Sequence, residues 1–326
     1  MSELSLVQAV NTALKRAMSD DASVLVLGED VGIDGGVFRA TEGLFKTFGG
    51  ERVLDTPIAE ASIAGVSIGL AAQGFRPVAE IQFTGFAYAC IDQIINHASR
   101  LRTRTRGRLT CPMVLRSPAG GGIQAVEHHS ESPEAMFAHI PGIKVVMASS
   151  PARAYGLLLS AIRDPDPVVF LEPTRLYRAA RGEVVDDGAG IPLGRCITLR
   201  PGRDVTIASW GATIKEALDT ADQLAANNIN AEVIDVATLK PLDRATILDS
   251  IERTGRLVIV HEAPMTCGFG AEIAACVAGR AITSLLAPVE RVTGYDTMMP
   301  YLRTEAHYMP SVGAILAAVH RTMAYT

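Results

Sequence analysis

The chain has 326 residues, 48% of them hydrophobic and 20% charged, and a formal net charge of −5. That balance excludes a disordered chain, leaves room for two domains with cores of their own, and argues against nucleic acid as a partner. Its five cysteines, Cys90, Cys111, Cys196, Cys267 and Cys276, stand in no paired metal or redox spacing, so they read as buried thiols of a cytoplasmic protein.

Leu4 to Met18 has the spacing of an amphipathic helix and lacks the uninterrupted apolar segment of a signal peptide. Val24 to Leu27 then reads as a strand ending at Gly28. Glu29 and Asp30 follow it, either as solvated loop charges or as residues lining a cleft. The glycine-rich stretch from Gly32 to Leu44 contains neither GxGxxG nor GxxxxGK[ST] and reads as a mobile loop leading into a helix. From Arg52 to Phe83 the order is strand, helix, strand. Val53 to Ile58 is apolar, Ala61 to Gly74 has alanine and glycine at helical spacing, and Pro77 to Phe83 is an apolar run broken by Glu80 and Gln82. Ala61, Ala64, Gly65, Ile68, Gly69 and Ala72 leave one helix face nearly bare backbone, suited to close packing, and the segment is too short to cross a bilayer.

Glu60 therefore stands at a strand-to-helix junction with no cationic residue within seven positions on either side. A glutamate in a first helical turn is favoured by the helix dipole alone. The sharper alternative is a carboxylate kept beside an apolar helix for hydrogen bonding or proton transfer.

Thr84 to Ser99 reads as a helix carrying Phe86 and Tyr88 near its start. From Arg100 to Arg108 arginine takes every second position, a pattern of a solvated surface or of a face that docks an acidic partner. Cys111 to Ser117 is a strand, Pro118 to Gln124 (PAGGGIQ) a flexible glycine loop, and the following segment sets His128 and His129 just behind it, where catalytic groups are often carried. No third ligand stands at a zinc spacing, so no metal site is expected. His139 reads as structural. Ile143 to Met147, Ala152 to Ile162 and Val168 to Leu171 repeat strand, helix, strand, which predicts an α/β fold with a largely parallel sheet covered on both faces. The periodicity relaxes afterwards. This places one domain at 1–180, a linker at 181–203 and a second α/β domain at 204–326, where strands fall at Asp204 to Gly211, Ala231 to Val236 and Leu257 to His261. His261 and Glu262 end the last of these, with a structural role as the plainer reading.

GEDVGIDGGVFRATEGL, DTPIAEASIAGVSIGLAAQG, AEIQF, HSESPEAMFAHIPGIKVV, LEPTRLYRAA, HEAPMTCGFGAEI and APVERVTGYDTMMP together resemble the β subunit of the thiamin diphosphate-dependent 2-oxoacid dehydrogenases, from about residue 4 to the end. The resemblance implies a transketolase-like pyrimidine domain followed by a transketolase C-terminal domain that serves assembly and docking. It also implies oxidative decarboxylation of a 2-oxoacid, with acyl transfer to the lipoyl group of an acyltransferase core. Glu60 matches the glutamate that hydrogen-bonds the aminopyrimidine ring nitrogen and favours its imino tautomer. Ile58 and Gln82 match positions near the cofactor, and Phe86 an aromatic packed on the pyrimidine. His129 matches a histidine for substrate binding or acyl transfer, with His128 as the neighbouring candidate. Some members hold potassium through carbonyls near Ala161, Asp164 and Asp166.

The family's signature for magnesium and the diphosphate, Gly-Asp-Gly followed by an asparagine, is absent from this sequence. The resemblance therefore implies an α subunit that holds magnesium, in a tetramer of two α and two β chains. A self-contained transketolase would carry a further cofactor domain, and a nicotinamide dehydrogenase would need a glycine fingerprint. A non-catalytic assembly protein would have no use for Glu60, Phe86 and His129. The HSESPEAMFAHIPGIKVV, EPTRLYRAA and GYDT blocks look closer to the branched-chain member than to the pyruvate member, so a branched-chain 2-oxoacid is the expected substrate, with a pyruvate or acetoin dehydrogenase β subunit as the alternative.

Overall fold

The computed structural model describes residues 2–325. In chain order the strands are β1 Ser2–Ser5, β2 Val24–Gly28, β3 Val53–Asp55, β4 Arg76–Glu80, β5 Val114–Ala119, β6 Lys144–Met147 and β7 Val168–Pro173. They continue as β8 Arg181–Val184, β9 Ile197–Arg200, β10 Val205–Ser209, β11 Ala231–Asp235, β12 Thr238–Lys240, β13 Leu257–Pro264 and β14 Glu290–Gly294.

Two open sheets carry the two domains. The first has the order β12-β6-β7-β5-β4-β2-β3 and is parallel except for β12. The second has the order β14-β13-β10-β11-β9, with β9 the antiparallel edge. Strands such as VLVLG and VVFLEP are buried along their whole length, as a sheet covered on both faces requires. Leu25 and Leu27 enter the core on one face while Val24 and Val26 enter the core on the other. The first of these cores runs on through Trp210, Ile247, Ile259 and Phe269, so it belongs to both domains.

Helix ends follow local chemistry. The helix Leu6–Asp20 opens with a capping box between Ser5 and Gln8, and Pro151–Arg163 opens with Ser150 accepting the Arg153 N–H and proline in its first turn. Ser2–Ser5, expected in part as helix, is instead a strand paired with β8. The stretch expected as one helix over Thr84 to Ser99 is broken into a 3₁₀ turn Phe86–Cys90, a helix Ile91–Asn96 and a second 3₁₀ turn Ala98–Arg100. His97, at φ −124° and ψ −65°, interrupts it. The segment 181–203 holds β8, which forms a separate two-stranded sheet with β1, and β9, the edge of the second sheet. Of the five thiols expected to be buried, Cys90 and Cys111 are, Cys196 and Cys276 are partly so, and Cys267 is exposed at φ +55° in the turn after β13.

Beneath the first sheet's carboxyl end lies an ion network that the sequence did not reveal. Arg116 donates to both oxygens of Glu172, at 2.7 and 2.6 Å, and to Glu80, and the Tyr177 hydroxyl donates to Glu172 at 2.5 Å. All four side chains are buried. Glu80, which interrupts the apolar run of β4, stands in register with Arg116 on β5.

Candidate active site

Gly28 is paired with both Asp55 and Glu80, so the carboxyl ends of β2, β3 and β4 lie level. Whatever follows these strands converges on one edge, the usual place for ligands in an open α/β sheet. Glu29 and Asp30 follow β2, Ile58 and Glu60 follow β3, Gln82, Phe83 and Phe86 follow β4, and the loop to His129 follows β5.

Glu60 is the first residue of the helix Glu60–Ala72, whose cap position, Ala59, offers no side-chain bond, so the positive end of the helix faces the carboxylate. The side chain is half-buried, with Ile58 projecting beside it at 83% exposure. The Cys90 thiol donates to the Glu60 carbonyl at 3.2 Å. Burial, reinforced by Glu60 and Glu29, pushes that thiol up to about 12, so it stays protonated and inert.

Glu29 is the residue whose importance the sequence understated. It is 6% exposed and its Oε1 has no partner. Burial first, then Glu60 and Asp30, raise its pKa. Two interacting carboxyl groups, one of which keeps its proton more tightly, form a site able to hold and move a proton. Gln82 donates to Asp30 at 3.1 Å and so ties the end of β4 to the end of β2.

His129 packs against Phe83, with ring centroids 4.2 Å apart, and against Phe86 at 5.4 Å. Its Nδ1 is buried without a partner, whereas His128 is exposed. The structure thus sets His129, and not its neighbour, against the aromatic pair.

The loop before it corrects the reading of a flexible hinge. A Cβ on Gly120 would come within 2.7 Å of Glu262, and one on Gly122 within 2.6 Å of Arg175. These glycines, at φ +80° and +87°, allow close approach of another element. The stretch after Gly32 is likewise tied down: Asp55 accepts the Gly32 N–H at 2.6 Å and Thr41 donates to the Val31 carbonyl at 2.7 Å. Arg102 pairs with Asp166 at 2.7 Å on an exposed surface, and Arg104 and Arg108 donate to nearby carbonyls.

Near the carbonyls of Ala161, Asp164 and Asp166, Arg76 donates to the carbonyls of Ile162 and Asp164. Among the described residues no group of three or more His, Cys, Asp or Glu could hold a metal ion, and no helix is long and apolar enough to cross a membrane. The edge does fit the aminopyrimidine half of thiamin diphosphate. A half-open carboxylate, a projecting isoleucine, an aromatic face and unpartnered atoms on Glu29 and His129 suit a flat, nitrogen-bearing ring.

This architecture is of the transketolase type. Residues 2–180 match the transketolase pyrimidine binding domain and residues 194–315 the transketolase C-terminal domain. A solved structure titled split gene transketolase, inactive beta4 tetramer, superimposes with a TM-score of 0.82 at 25% identity, covering 99% of each chain. The chain is 46% identical to the pyruvate dehydrogenase E1 component subunit beta of Bacillus subtilis over 100% of both chains. It is 45% identical to that of Acholeplasma laidlawii over 98% of both, and 44% identical to that of Staphylococcus aureus over 100% of both. The chain belongs to the family of β subunits of the E1 component of 2-oxoacid dehydrogenases.

The relatives named here carry the pyruvate designation and lend no support to the branched-chain preference. Several residues of the blocks that suggested it make structural contacts. Glu172 and Tyr177 in EPTRLYRAA serve the buried ion network, Arg175 pairs with Glu216 at 2.7 Å, and Glu134 in HSESPEA accepts the Trp210 indole N–H.

Proposed function

We propose that the chain is the β subunit of a pyruvate dehydrogenase E1 component, active only when paired with an α subunit. The observation that carries this reading is the half-open Glu60 carboxylate beside the buried, coupled Glu29 at the sheet's carboxyl edge. Thiamin diphosphate, when bound, supplies the electron sink for decarboxylation of the 2-oxoacid. Glu60 would hydrogen-bond the ring nitrogen of the aminopyrimidine, and Glu29, whose pKa burial raises, lies behind it. Ile58 and Phe86 pack against the ring, while Gln82 and Asp30 brace the wall between β2 and β4. His129, an imidazole on the loop behind β5, delivers a proton during acyl transfer to the lipoyl arm of the acyltransferase core.

The α subunit contributes magnesium and the diphosphate site, magnesium being a hard ion that takes oxygen ligands from carboxylates, carbonyls, water and phosphate. Two α and two β chains make the working enzyme, in the cytoplasm. Calorimetric titration with thiamin diphosphate and magnesium tests the half-site. The chain alone binds weakly or not at all, and the α subunit restores tight binding together with decarboxylation. Decarboxylation by this chain free of any partner sinks the reading. Turnover per Michaelis constant for pyruvate against 3-methyl-2-oxobutanoate decides the substrate, and a clear preference for the branched acid overturns the pyruvate assignment.

A further inference from the structure

The loop that carries His129 is held from the other domain. The Gly121 N–H donates to Glu262 at 2.5 Å, the Gly122 N–H to Oε1 of Glu305 at 2.6 Å, and the Gln124 N–H to Oε2 of Glu305 at 2.9 Å. Both oxygens of Glu305, a side chain 4% exposed, are thus engaged by backbone two residues apart. The Tyr301 hydroxyl adds a bond to Glu127 at 2.5 Å. On its other side the loop rests on the first domain. Thr84 donates to the Glu131 carbonyl at 2.9 Å, and Gly85 lies so close under the His128 carbonyl that a Cβ would come within 2.2 Å of it.

A stretch with three consecutive glycines has many conformations open to it. Gln124 adopts φ +56°, a left-handed conformation that a non-glycine residue keeps only when its surroundings hold it there. Hydrogen bonds from backbone N–H groups to a carboxylate are among the stronger ones available to do so.

We propose that Glu305, seconded by Glu262, is a positioning residue: from the C-terminal domain it fixes the loop that sets His129 against Phe83 and Phe86. The clamp stands on its own geometry, and only its consequence for turnover rests on the function proposed above.

The test is amide hydrogen exchange over residues 120–131 in the full chain assembled with its α subunit, together with the imidazole resonance of His129. Glu305→Ala raises exchange at Gly122 and Gln124 by about tenfold or more, the amount expected when a hydrogen bond to a charged group is lost, and shifts the His129 resonance. Glu305→Gln keeps one acceptor oxygen and gives a smaller rise. Arg321→Ala breaks the ion pair with Glu290 elsewhere in the same domain and leaves the loop unchanged. Wild-type exchange in a folded Glu305→Ala protein overturns the proposal, as does equal loosening in Arg321→Ala. If Glu305→Ala does not fold, Glu305→Gln decides, and a wild-type rate there overturns it equally. Neither readout uses turnover. Loop loosening in a protein inactive on every 2-oxoacid would therefore count against the proposed function and for the clamp.

Discussion

At the carboxyl edge of the first sheet Glu60 is half-exposed and Glu29 Oε1 has no partner, whereas the same edge of the second sheet is closed against the first domain. There Trp210, just past β10, donates to Glu134 at 3.1 Å, Asp235 at the end of β11 pairs with Arg153 at 3.0 Å, and Glu262 in β13 accepts from Gly121. His261 stacks on Trp210 at 5.0 Å with the rings 14° apart. Both edges collect polar groups, because parallel strands end there and loops begin. They differ in their surroundings: the second edge is packed against the protein's other domain, which leaves both ring nitrogens of His261 and Oε2 of Glu134 buried without a partner, and the first stands half-open at Glu60.

Glu60→Gln tests the open edge most severely. In the assembled enzyme turnover falls by about 10²–10⁴, the usual contribution of a proton-transferring group, with assembly intact. A rate within about twofold of wild type would place Glu60 among ordinary first-turn glutamates. Arg116→Met asks whether that edge needs the closed network beneath it. Two buried carboxylates lose their partner, and stability in urea falls by about 3–5 kcal/mol. An unchanged midpoint would show that the network is relieved in some other way.

The closed edge is sharpened by pH. Burial pushes Glu134 from 4.5 up to about 7, so the folded state keeps a proton that the unfolded chain gives up. Stability therefore falls as pH rises from 4.5 to 7, by about 3 kcal/mol. His261 works in the opposite direction. Burial, with Arg291, lowers it from 6.5 to about 4, so its neutral form favours folding above 6.5 and that advantage is lost as pH falls toward 4. Glu134→Gln removes the glutamate contribution, so the variant loses less stability than wild type as pH rises from 4.5 to 7. Parallel profiles for wild type and variant refute the assignment. The smallest effect belongs to Ile58→Ala. In the chain alone it changes unfolding free energy by less than about 0.5 kcal/mol, as for an exposed position, and a loss above about 1 kcal/mol would mean that Ile58 packs against its own chain.

The sequence carried the strand-to-helix junction at Glu60 because period, proline and alanine content are local signals. The same holds for the placing of Gln82, Phe86 and His129 just past strands, though not for what those side chains do. It could not carry the partner of Glu80, since Arg116 and Glu172 are brought to it only by sheet register. Nor could it distinguish a hinge from a close contact at Gly120 and Gly122, where the neighbours are Glu262 and Arg175. Glu29 was visible as an acidic residue past a strand, but its burial beside Glu60 is tertiary. The small-residue face of the helix Glu60–Ala72 was legible from spacing, and part of it, at Ala61 and Gly69, remains exposed in the single chain.

One short strand limits how this chain can be divided. β12, Thr238–Lys240, lies in the second half of the sequence yet pairs with β6 of the first sheet, Thr238 opposite Val146. A fragment ending near residue 203 would uncover the backbone of Lys144–Met147, a strand edge rich in β-branched residues and open to pairing with any similar edge. Expressed by itself, the N-terminal half should self-associate, and supplying the remainder as a second polypeptide should restore it to solution. Two domains recognisable as separate units in sequence are, in this protein, one unit of folding heredity, and exchanging either with a cousin would have to preserve that borrowed strand.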